Sequence, residues 1–554
     1  MRQDALIGAA SDEPANWIRP GSLLLALALF ITIINAAKPL TSDDAVYFQF
    51  AEHIASHPLD PFGFRVWGEY DANRCLAPPV FLYWWALGLR ILGDEPVLWK
   101  LWLLPINSLF VFALYKLGRR ACRPMVWPFV GFVSLSPAVL PCFNLMLDIP
   151  ALTLGLTAIL LFLHACDSDS TVTCLAAGLV GAVAAQTKYT AFVVPGVMLL
   201  YGWLFGKWRQ GITAAALVVL LFVGWEALIA WRYGDSHFLL AAGEVRAPAL
   251  AKLKLVGPLF GYLGSTAALA IPLGLAALGY RRSSVVSLAT IGLGMAGLLF
   301  LPTAASSTGL SSLQHFDWRW WYGLQFGVFG LAFFASLSAI GWRLYSQAVT
   351  VNRSLVCGRL VSIDGFLILW LALELVAYFG LSPYPGARRI LGIFVVAMLL
   401  VFRLSAFTCR QNMAGVWALV GTNLCLGLLF FAADSSFSRG ESDLAHAVAN
   451  ERQRISPQAT VWYIAFSAFD FPASRLGMKR LVAPHTEVGT GDWVVVVDRD
   501  EDYFSQFSAA ACCRPSFRFD WTPTLPLKSQ YQSGAVALTP LLGPLHRATV
   551  YVAQ

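Results

Sequence analysis

Long apolar blocks dominate this chain, separated at short intervals by a few polar or charged residues. Blocks of helix-spanning length fall near 21–37, 97–117, 125–143, 150–166, 171–187, 189–206, 211–230, 255–279, 284–302, 320–345, 362–381, 388–406 and 413–433. A membrane-crossing helix needs roughly 20 such residues, so the pattern predicts an α-helical polytopic membrane protein with about 13 transmembrane helices. A further block, 77–92, is ambiguous: it opens on Ala77-Pro78-Pro79, carries Tyr83-Trp84-Trp85 and ends at Arg90-Ile91-Leu92-Gly93. Beyond 434 the pattern changes. Short strand-like runs, Val461-Trp462-Tyr463-Ile464 and Trp493-Val494-Val495-Val496-Val497, stand between Pro, Gly and charged residues, which predicts a small mixed α/β domain.

Loop charge arbitrates the ambiguous block. If 77–92 lies flat in the interface, Lys116 with Arg119 and Arg120 falls on the side of the N-terminus, as do Lys207 with Arg209, Arg281-Arg282, Arg343 with Arg353 and Arg359, and Arg403 with Arg410. Basic loops mark the cytoplasm, and counting 77–92 as a span would invert every later loop. The interfacial reading is adopted, and the aromatic content of the block agrees with it. The expected organisation is a cytoplasmic N-terminal tail (1–20), a transmembrane domain (21–433) and an extracytoplasmic C-terminal domain (434–554). The first exoplasmic loop, 38–96, carries the interfacial helices. Met1 to Pro20 is polar and no small-residue cleavage site with a soluble continuation follows, so no cleavable leader is expected.

Composition agrees and narrows the function classes. Hydrophobic residues make up 57% of the chain and charged residues only 13%, about half the charge of soluble domains. A net charge of +7 with no basic run of five or more argues against a nucleic-acid surface. The ten cysteines lack metal-ligand spacing; Cys142, Cys174, Cys357 and Cys425 lie in or beside apolar blocks as buried thiols, whereas Cys512-Cys513 sit in the polar C-terminal part. Walker, G-x-S-x-G and Cys-x-x-Cys motifs are absent, which leaves nucleotide hydrolysis, serine-esterase chemistry and dithiol redox without support.

On this topology the isolated charges near membrane depth fall on the exoplasmic side. Asp43-Asp44 follow the first block, Asp148 opens the block at 150, Lys188-Tyr189 interrupt an apolar hairpin, and Arg388-Arg389 follow Pro383-Tyr384-Pro385-Gly386. Acids and bases converging on one side suit a phosphate-bearing lipid: Lys and Arg hold the phosphate, and a carboxylate accepts a proton from an attacking hydroxyl. Bland alternatives stand beside each role. Asp44 caps a helix starting at Ala45, Asp148 caps one starting at Ile149-Pro150, and Lys188 or Arg388-Arg389 snorkel to headgroups. A divalent ion, Mg²⁺ or Ca²⁺, on Asp43, Asp44 or Asp148 stays open as a cofactor. His53 and His57, four apart beside Glu52, read as a solvated helix face rather than a metal pair.

Several segments in order resemble a known family: Asp43-Asp44, His57-Pro58-Leu59-Asp60-Pro61-Phe62-Gly63-Phe64, Pro78-Pro79-Val80-Phe81-Leu82-Tyr83, Gly93-Asp94-Glu95, Leu147-Asp148-Ile149-Pro150 and Thr187-Lys188-Tyr189. Together they resemble the GT-C membrane glycosyltransferases of the protein O-mannosyltransferase and lipid A aminoarabinose or galacturonic acid transferase type, most strongly from 20 to 210. The resemblance implies sugar transfer from a polyprenyl-phosphate donor to an acceptor hydroxyl of a lipid, glycan or protein on the extracytoplasmic face; with no endoplasmic-reticulum retrieval signal in the sequence, a bacterial inner membrane is the expected location. It maps the base onto Asp43, with Asp44 where the family often carries Glu, and the acid of the second exoplasmic loop onto Asp148. Lys188, Arg388, Arg389 and Arg74 are the candidates for the carrier phosphate, and Tyr47, Tyr83 and Tyr189 for the cavity wall. The aminoarabinose transferases carry Lys before the Pro-Pro step, where this chain has Ala77. The rival from another class is a transporter or flippase of a lipid-linked sugar, which would place its charges near mid-bilayer.

Overall fold

A computed structural model describes residues 18–40, 43–75, 78–245, 252–280, 291–292, 318–350, 363–382, 384–409, 412–465, 468–482, 488–497, 501–507, 509–523, 525, 527–528, 538 and 544–554. Among them, eight helices are long and apolar enough to cross a membrane. Shorter apolar helices cover Pro20–Ala36, Val80–Leu92, Thr171–Ala185 and Tyr189–Leu204. The chain is a multi-pass, mainly helical membrane protein with a small C-terminal sheet. The expected span at 284–302 lies outside the described residues, apart from Ile291 and Gly292.

The helical part comprises α1 (Ile18–Ala36), α2 (Asp44–Ser56), α3 (Val80–Leu92), α4 (Pro96–Leu101), α5 (Leu104–Ala121), α6 (Val126–Ser134), α7 (Asp148–Ser168), α8 (Thr171–Ala185), α9 (Val193–Leu204), α10 (Trp208–Tyr233) and α11 (His237–Val245). After these follow α12 (Val256–Ala267), α13 (Ile271–Ala277), α14 (Trp318–Thr350), α15 (Ile363–Leu381), α16 (Leu391–Cys409) and α17 (Met413–Ile455). Val219, Leu220 and Val223 of α10 point outward into what would be lipid, where a bilayer makes their exposure costless. Arg120–Asp167, Lys207–Asp169 and Arg403–Asp364 tie helix ends together at one end of the bundle. α12 and α14 meet backbone to backbone: a Cβ on Gly264 would stand 1.7 Å from the Phe326 carbonyl oxygen, and one on Gly330 would stand 1.9 Å from that of Phe260. Small residues at such a crossing allow the van der Waals packing that drives helix association in lipid.

The block at 125–143, expected as a full span, departs from the prediction. Its helix stops at Ser134 after nine residues, and the chain returns irregularly to Asp148 with a 3-10 turn at Leu140–Cys142. Irregular backbone at membrane depth needs partners from within the protein, and polar side chains supply them. Asn423 Nδ2 donates to the Phe132 carbonyl at 2.7 Å, Asn35 Nδ2 to Leu140 at 3.3 Å, and Lys38 Nζ to Pro141 at 2.9 Å. Hydropathy counts these residues only as apolar, so it cannot register the break.

The first loop packs as a layer on the same end of the bundle as Asp148. α3 is 13 residues long, about 20 Å at 1.5 Å per residue, too short to cross a hydrocarbon core of about 30 Å. It lies on α2 through Phe50, Phe81, Leu82 and Trp85. A hairpin of β1 (Arg65–Val66) and β2 (Tyr70–Asp71) follows α2. α17 runs 43 residues without interruption, straight through position 434, where the sequence pattern placed a domain border. Its far end covers a five-stranded sheet made of β3 (Val461–Ile464), β4 (Lys479–Arg480), β5 (Trp493–Val497), β6 (Cys513–Trp521) and β7 (His546–Ala553), ordered β4-β3-β5-β7-β6. β3 is parallel to β4 and β5, while β7 is antiparallel to β5 and β6. Trp493, Val495 and Val497 face Leu444, Ala445 and Val448 of α17, and Val494 and Val496 face Phe504 and Phe507. A strand covered on both faces reads as an unbroken apolar run.

Candidate functional site

Where the first loop, the Lys188 turn, the start of α11 and the segment Gly380 to Arg389 meet, they enclose a cavity of about 610 Å³. Asp43, Tyr47, Val66, Trp67, Arg74, Lys188, Tyr189, Phe238, Tyr384, Arg388 and Arg389 are among its lining residues. Seven of the ten site residues expected from the sequence, drawn from four separate segments, thus line one cavity.

Asp43 sits just before α2 and its side chain makes no capping bond, so capping is not its role. Its carboxylate, half-exposed to the cavity, accepts from Arg388 Nη1 at 2.7 Å. Arg388 is held further by Tyr384, whose hydroxyl accepts from Nη2 at 2.8 Å, and by Met146 Sδ at 3.2 Å from Nη1. Arg389 lies with its guanidinium 5.0 Å from the Tyr384 ring centroid. Burial, with Asp43 beside it, raises the Tyr47 phenol well above its usual range, so this ring stays protonated and can donate.

Lys188 reaches back to Asp148, Nζ to Oδ1 at 2.6 Å, with side chains 11% and 3% exposed. Burial pulls the Lys188 ammonium down to about 8 and the neighbouring Arg389 and Arg388 push the same way, while Asp148 opposes. Asp148 is the first residue of α7, behind Leu147 at the cap position. It does not line the main cavity; its carboxylate borders a smaller one of about 60 Å³ that also touches Glu374, Arg388 and Arg389. Asp148 therefore orients Lys188 and meets the cavity only through it.

Two expected site residues lie elsewhere. Asp44 is fully buried and turns away from the cavity into a cluster with Lys38 and Lys100, at the end of α1 and in α4. It is the first residue of α2 rather than its cap. Tyr83 donates to the Pro58 carbonyl at 2.8 Å, bracing α3 against the loop outside the cavity wall. Arg74 stands at the rim, loosely paired with Asp235 at 3.7 Å. His53 and His57 stack at 4.8 Å, and His53 Nε2 bonds the Asp60 carbonyl at 2.8 Å, which fits a surface helix face. The three acids considered for a divalent ion have separate partners, and no group of three or more His, Cys, Asp or Glu among the described residues is arranged to hold a metal.

Lys38 and Glu226 escaped the sequence reading. Lys38, 1% exposed, joins the first loop to the Pro141 carbonyl. Burial lowers its ammonium, and nearby Asp434 and Asp44 oppose that shift. Glu226 accepts from Ser236 Oγ and from the Phe238 backbone N–H, both at 2.9 Å, and lies 3.4 Å from the Tyr189 hydroxyl. It thereby pins the start of α11, whose Phe238 and Ala241 form a cavity wall. Burial lowers the neighbouring His237 to about 4, against the opposing pull of Glu226, so its imidazole is neutral. A lone acid in an apolar block was the available signal for Glu226; for Lys38 there was none, since loop lysines are ordinary.

No family model matches the chain, and no curated protein does. Among solved structures it is similar to ArnT from Cupriavidus metallidurans in the apo state, at 14% identity over 97% of each chain with a TM-score of 0.42. It is also similar to the archaeal oligosaccharyltransferase AglB from Archaeoglobus fulgidus in complex with an inhibitory peptide and a dolichol-phosphate, at 12% identity over 88% of this chain and 70% of that one, TM-score 0.44. A third likeness is to the arabinosyltransferase EmbB from Mycobacterium smegmatis, at 15% identity over 77% and 43%, TM-score 0.32. At TM-scores below 0.5 none of these likenesses bears on what the chain does.

Proposed function

We propose that this chain is a GT-C-type membrane glycosyltransferase that moves a sugar from a polyprenyl-phosphate donor to an acceptor hydroxyl, with inversion, on the extracytoplasmic side. The observation that carries the reading is the half-exposed Asp43 carboxylate facing a roomy cavity that also holds Lys188, Arg388 and Arg389. The ion-paired basic residues at the opposite end of the bundle, Arg120, Lys207 and Arg403, support the assignment of sides.

In this mechanism the donor phosphate settles against Arg388, Arg389 and Lys188. A phosphate competes with a carboxylate for the Arg388 fork, so donor binding loosens the Asp43–Arg388 pair and leaves Asp43 free to act as a base. The acceptor oxygen attacks the anomeric carbon as Asp43 takes its proton. The bond from that carbon to the phosphate oxygen breaks, and its electron pair stays on the phosphate beside the cations, so no general acid is needed. Attack opposite the leaving phosphate inverts the anomeric centre. Positioning of the two substrates supplies much of the remaining acceleration. Asp148 holds Lys188 in place.

The test is turnover of protein reconstituted in nanodiscs with polyprenyl-phosphate sugars. Cells with and without the protein, compared by mass spectrometry of glycolipids and surface glycans, identify the sugar and acceptor. Asp43→Asn should lower kcat by about 10²–10⁴ while carrier binding persists. Undiminished transfer by Asp43→Asn sinks the assignment of the base.

A further inference from the structure

One aromatic in the cavity wall sits on a backbone that disfavours it. The turn Val66–Glu69 closes the β1–β2 hairpin, with the Glu69 N–H donating to the Val66 carbonyl at 3.1 Å. Its two central residues are both left-handed, Trp67 at φ 54 and Gly68 at φ 75. Asn-Gly, Asp-Gly or Gly-Gly is the favoured pair in such a turn. A bulky residue there is a steric outlier, and strain of this kind persists where the surroundings over-determine it.

The surroundings here come from the C-terminal sheet unit. The Trp67 backbone N–H donates to Gln49 Oε1 at 3.0 Å, and Gln49 Nε2 donates to Asp470 Oδ2 at 2.9 Å. Asp470 accepts from Arg480 Nη1 and from the Tyr463 hydroxyl, both at 2.6 Å. The Arg480 guanidinium lies over the indole, 5.3 Å from the ring centroid, and the Tyr503 hydroxyl donates to Glu69 Oε2. Two elements far apart in sequence thus fix the same turn, and the ring they fix lines the cavity that holds Asp43, Lys188 and Arg388.

We propose that Trp67 is the platform on which the transferred sugar ring stacks, and that Arg480 and Asp470 are positioning residues through which the C-terminal unit sets it. The inference rests on the sugar-transfer reading. The C–H face of a pyranose offers an apolar surface that a rigid indole covers well, and the phosphate-binding cations line the same cavity. A ring that served only to glue the hairpin to the C-terminal unit would have no need to border the cavity.

The test measures binding of undecaprenyl phosphate, bare or carrying one of a series of hexoses and pentoses, to the full-length protein in nanodiscs. The readout is the affinity ratio of the best sugar-bearing carrier to the bare one. Trp67→Asn suits the left-handed turn better than Trp but gives up the indole's packing and its Arg480 contact, so a modest fall in melting temperature is expected and the readout is the affinity ratio of the folded protein. Its ratio should drop about tenfold, the scale of a lost aromatic stacking contact, with bare-carrier affinity unchanged. Trp67→Tyr should keep most of the ratio, and Arg480→Met or Asp470→Asn should lower it without touching bare-carrier affinity. An unchanged ratio in Trp67→Asn overturns the platform, as does an equal loss in Trp67→Tyr. If the wild type binds neither bare nor sugar-bearing carrier, the glycosyltransferase reading itself fails and the platform falls with it.

Discussion

Replacing Lys188 by Met keeps most of the stem's bulk but removes the charge that stands 2.6 Å from Asp148 Oδ1. Asp148 is 3% exposed in its side chain, so the carboxylate would be left almost dry beside a neutral thioether. Breaking a buried pair from one side costs about 3–5 kcal/mol. Arg388 and Arg389 are close enough to act on the same carboxylate, which places the expectation near the lower end, about 3 kcal/mol. Converting Asp148 to Asn in the same background removes the stranded charge, and most of that loss should return, a coupling of about 2 kcal/mol in a double-mutant cycle. Function should not follow stability back. A donor phosphate deprived of one charge-assisted hydrogen bond loses about 1.5–3 kcal/mol, or about 10–150-fold in kcat/KM. The assay pairs thermal melts in nanodiscs with donor binding and turnover for wild type, Lys188→Met, Asp148→Asn and the double variant. If the double variant regains donor affinity along with its melting temperature, Lys188 is only a counter-ion for Asp148 and its phosphate role is refuted.

Donor affinity should be full below pH about 8 and weaken as pH rises through that value, because Lys188 carries its proton only below it in the free protein. The donor's phosphodiester keeps one charge throughout, so the profile reports the protein, and Lys188→Arg should flatten it. Arg388→Lys retains the charge but loses the fork that serves Asp43 and Tyr384 together; the donor KM should rise about tenfold, read from initial rates. Lys38→Met strips the buried cation beside Asp44 and Asp434 and the donor to the Pro141 carbonyl. It should cost about 3–5 kcal/mol, seen as a lower melting temperature that Asp44→Asn partly restores.

Much of this molecule could be read before folding. The spans at 97–117, 150–166, 211–230, 255–279, 320–345, 362–381, 388–406 and 413–433 and the strands at 461–464 and 493–497 follow from local hydropathy and period, since lipid and a buried strand both demand apolar side chains. The misreadings share a cause. The break after Ser134 depends on Asn35, Lys38 and Asn423 reaching its carbonyls from α1, its following loop and α17, and no window centred on 135–147 contains those donors. The neighbours Asp43 and Asp44 look equivalent in sequence, yet successive residues at a helix start point about 100° apart. One meets Arg388 while the other is buried near Lys38.

By itself the sequence determined that the chain lives in a membrane, where most of its long helices lie, and which residue types carry charge where charge is expensive. Those are consequences of solvent preference and backbone period, which act residue by residue. The tertiary structure alone decided that Asp43 faces Arg388 across 345 positions of chain, that Asp148 serves Lys188 rather than the cavity, and that Arg480 lies over Trp67. Such pairings are set by how helices cross and where a distant sheet docks, and electrostatics at a few ångströms depends on that distance rather than on separation along the chain.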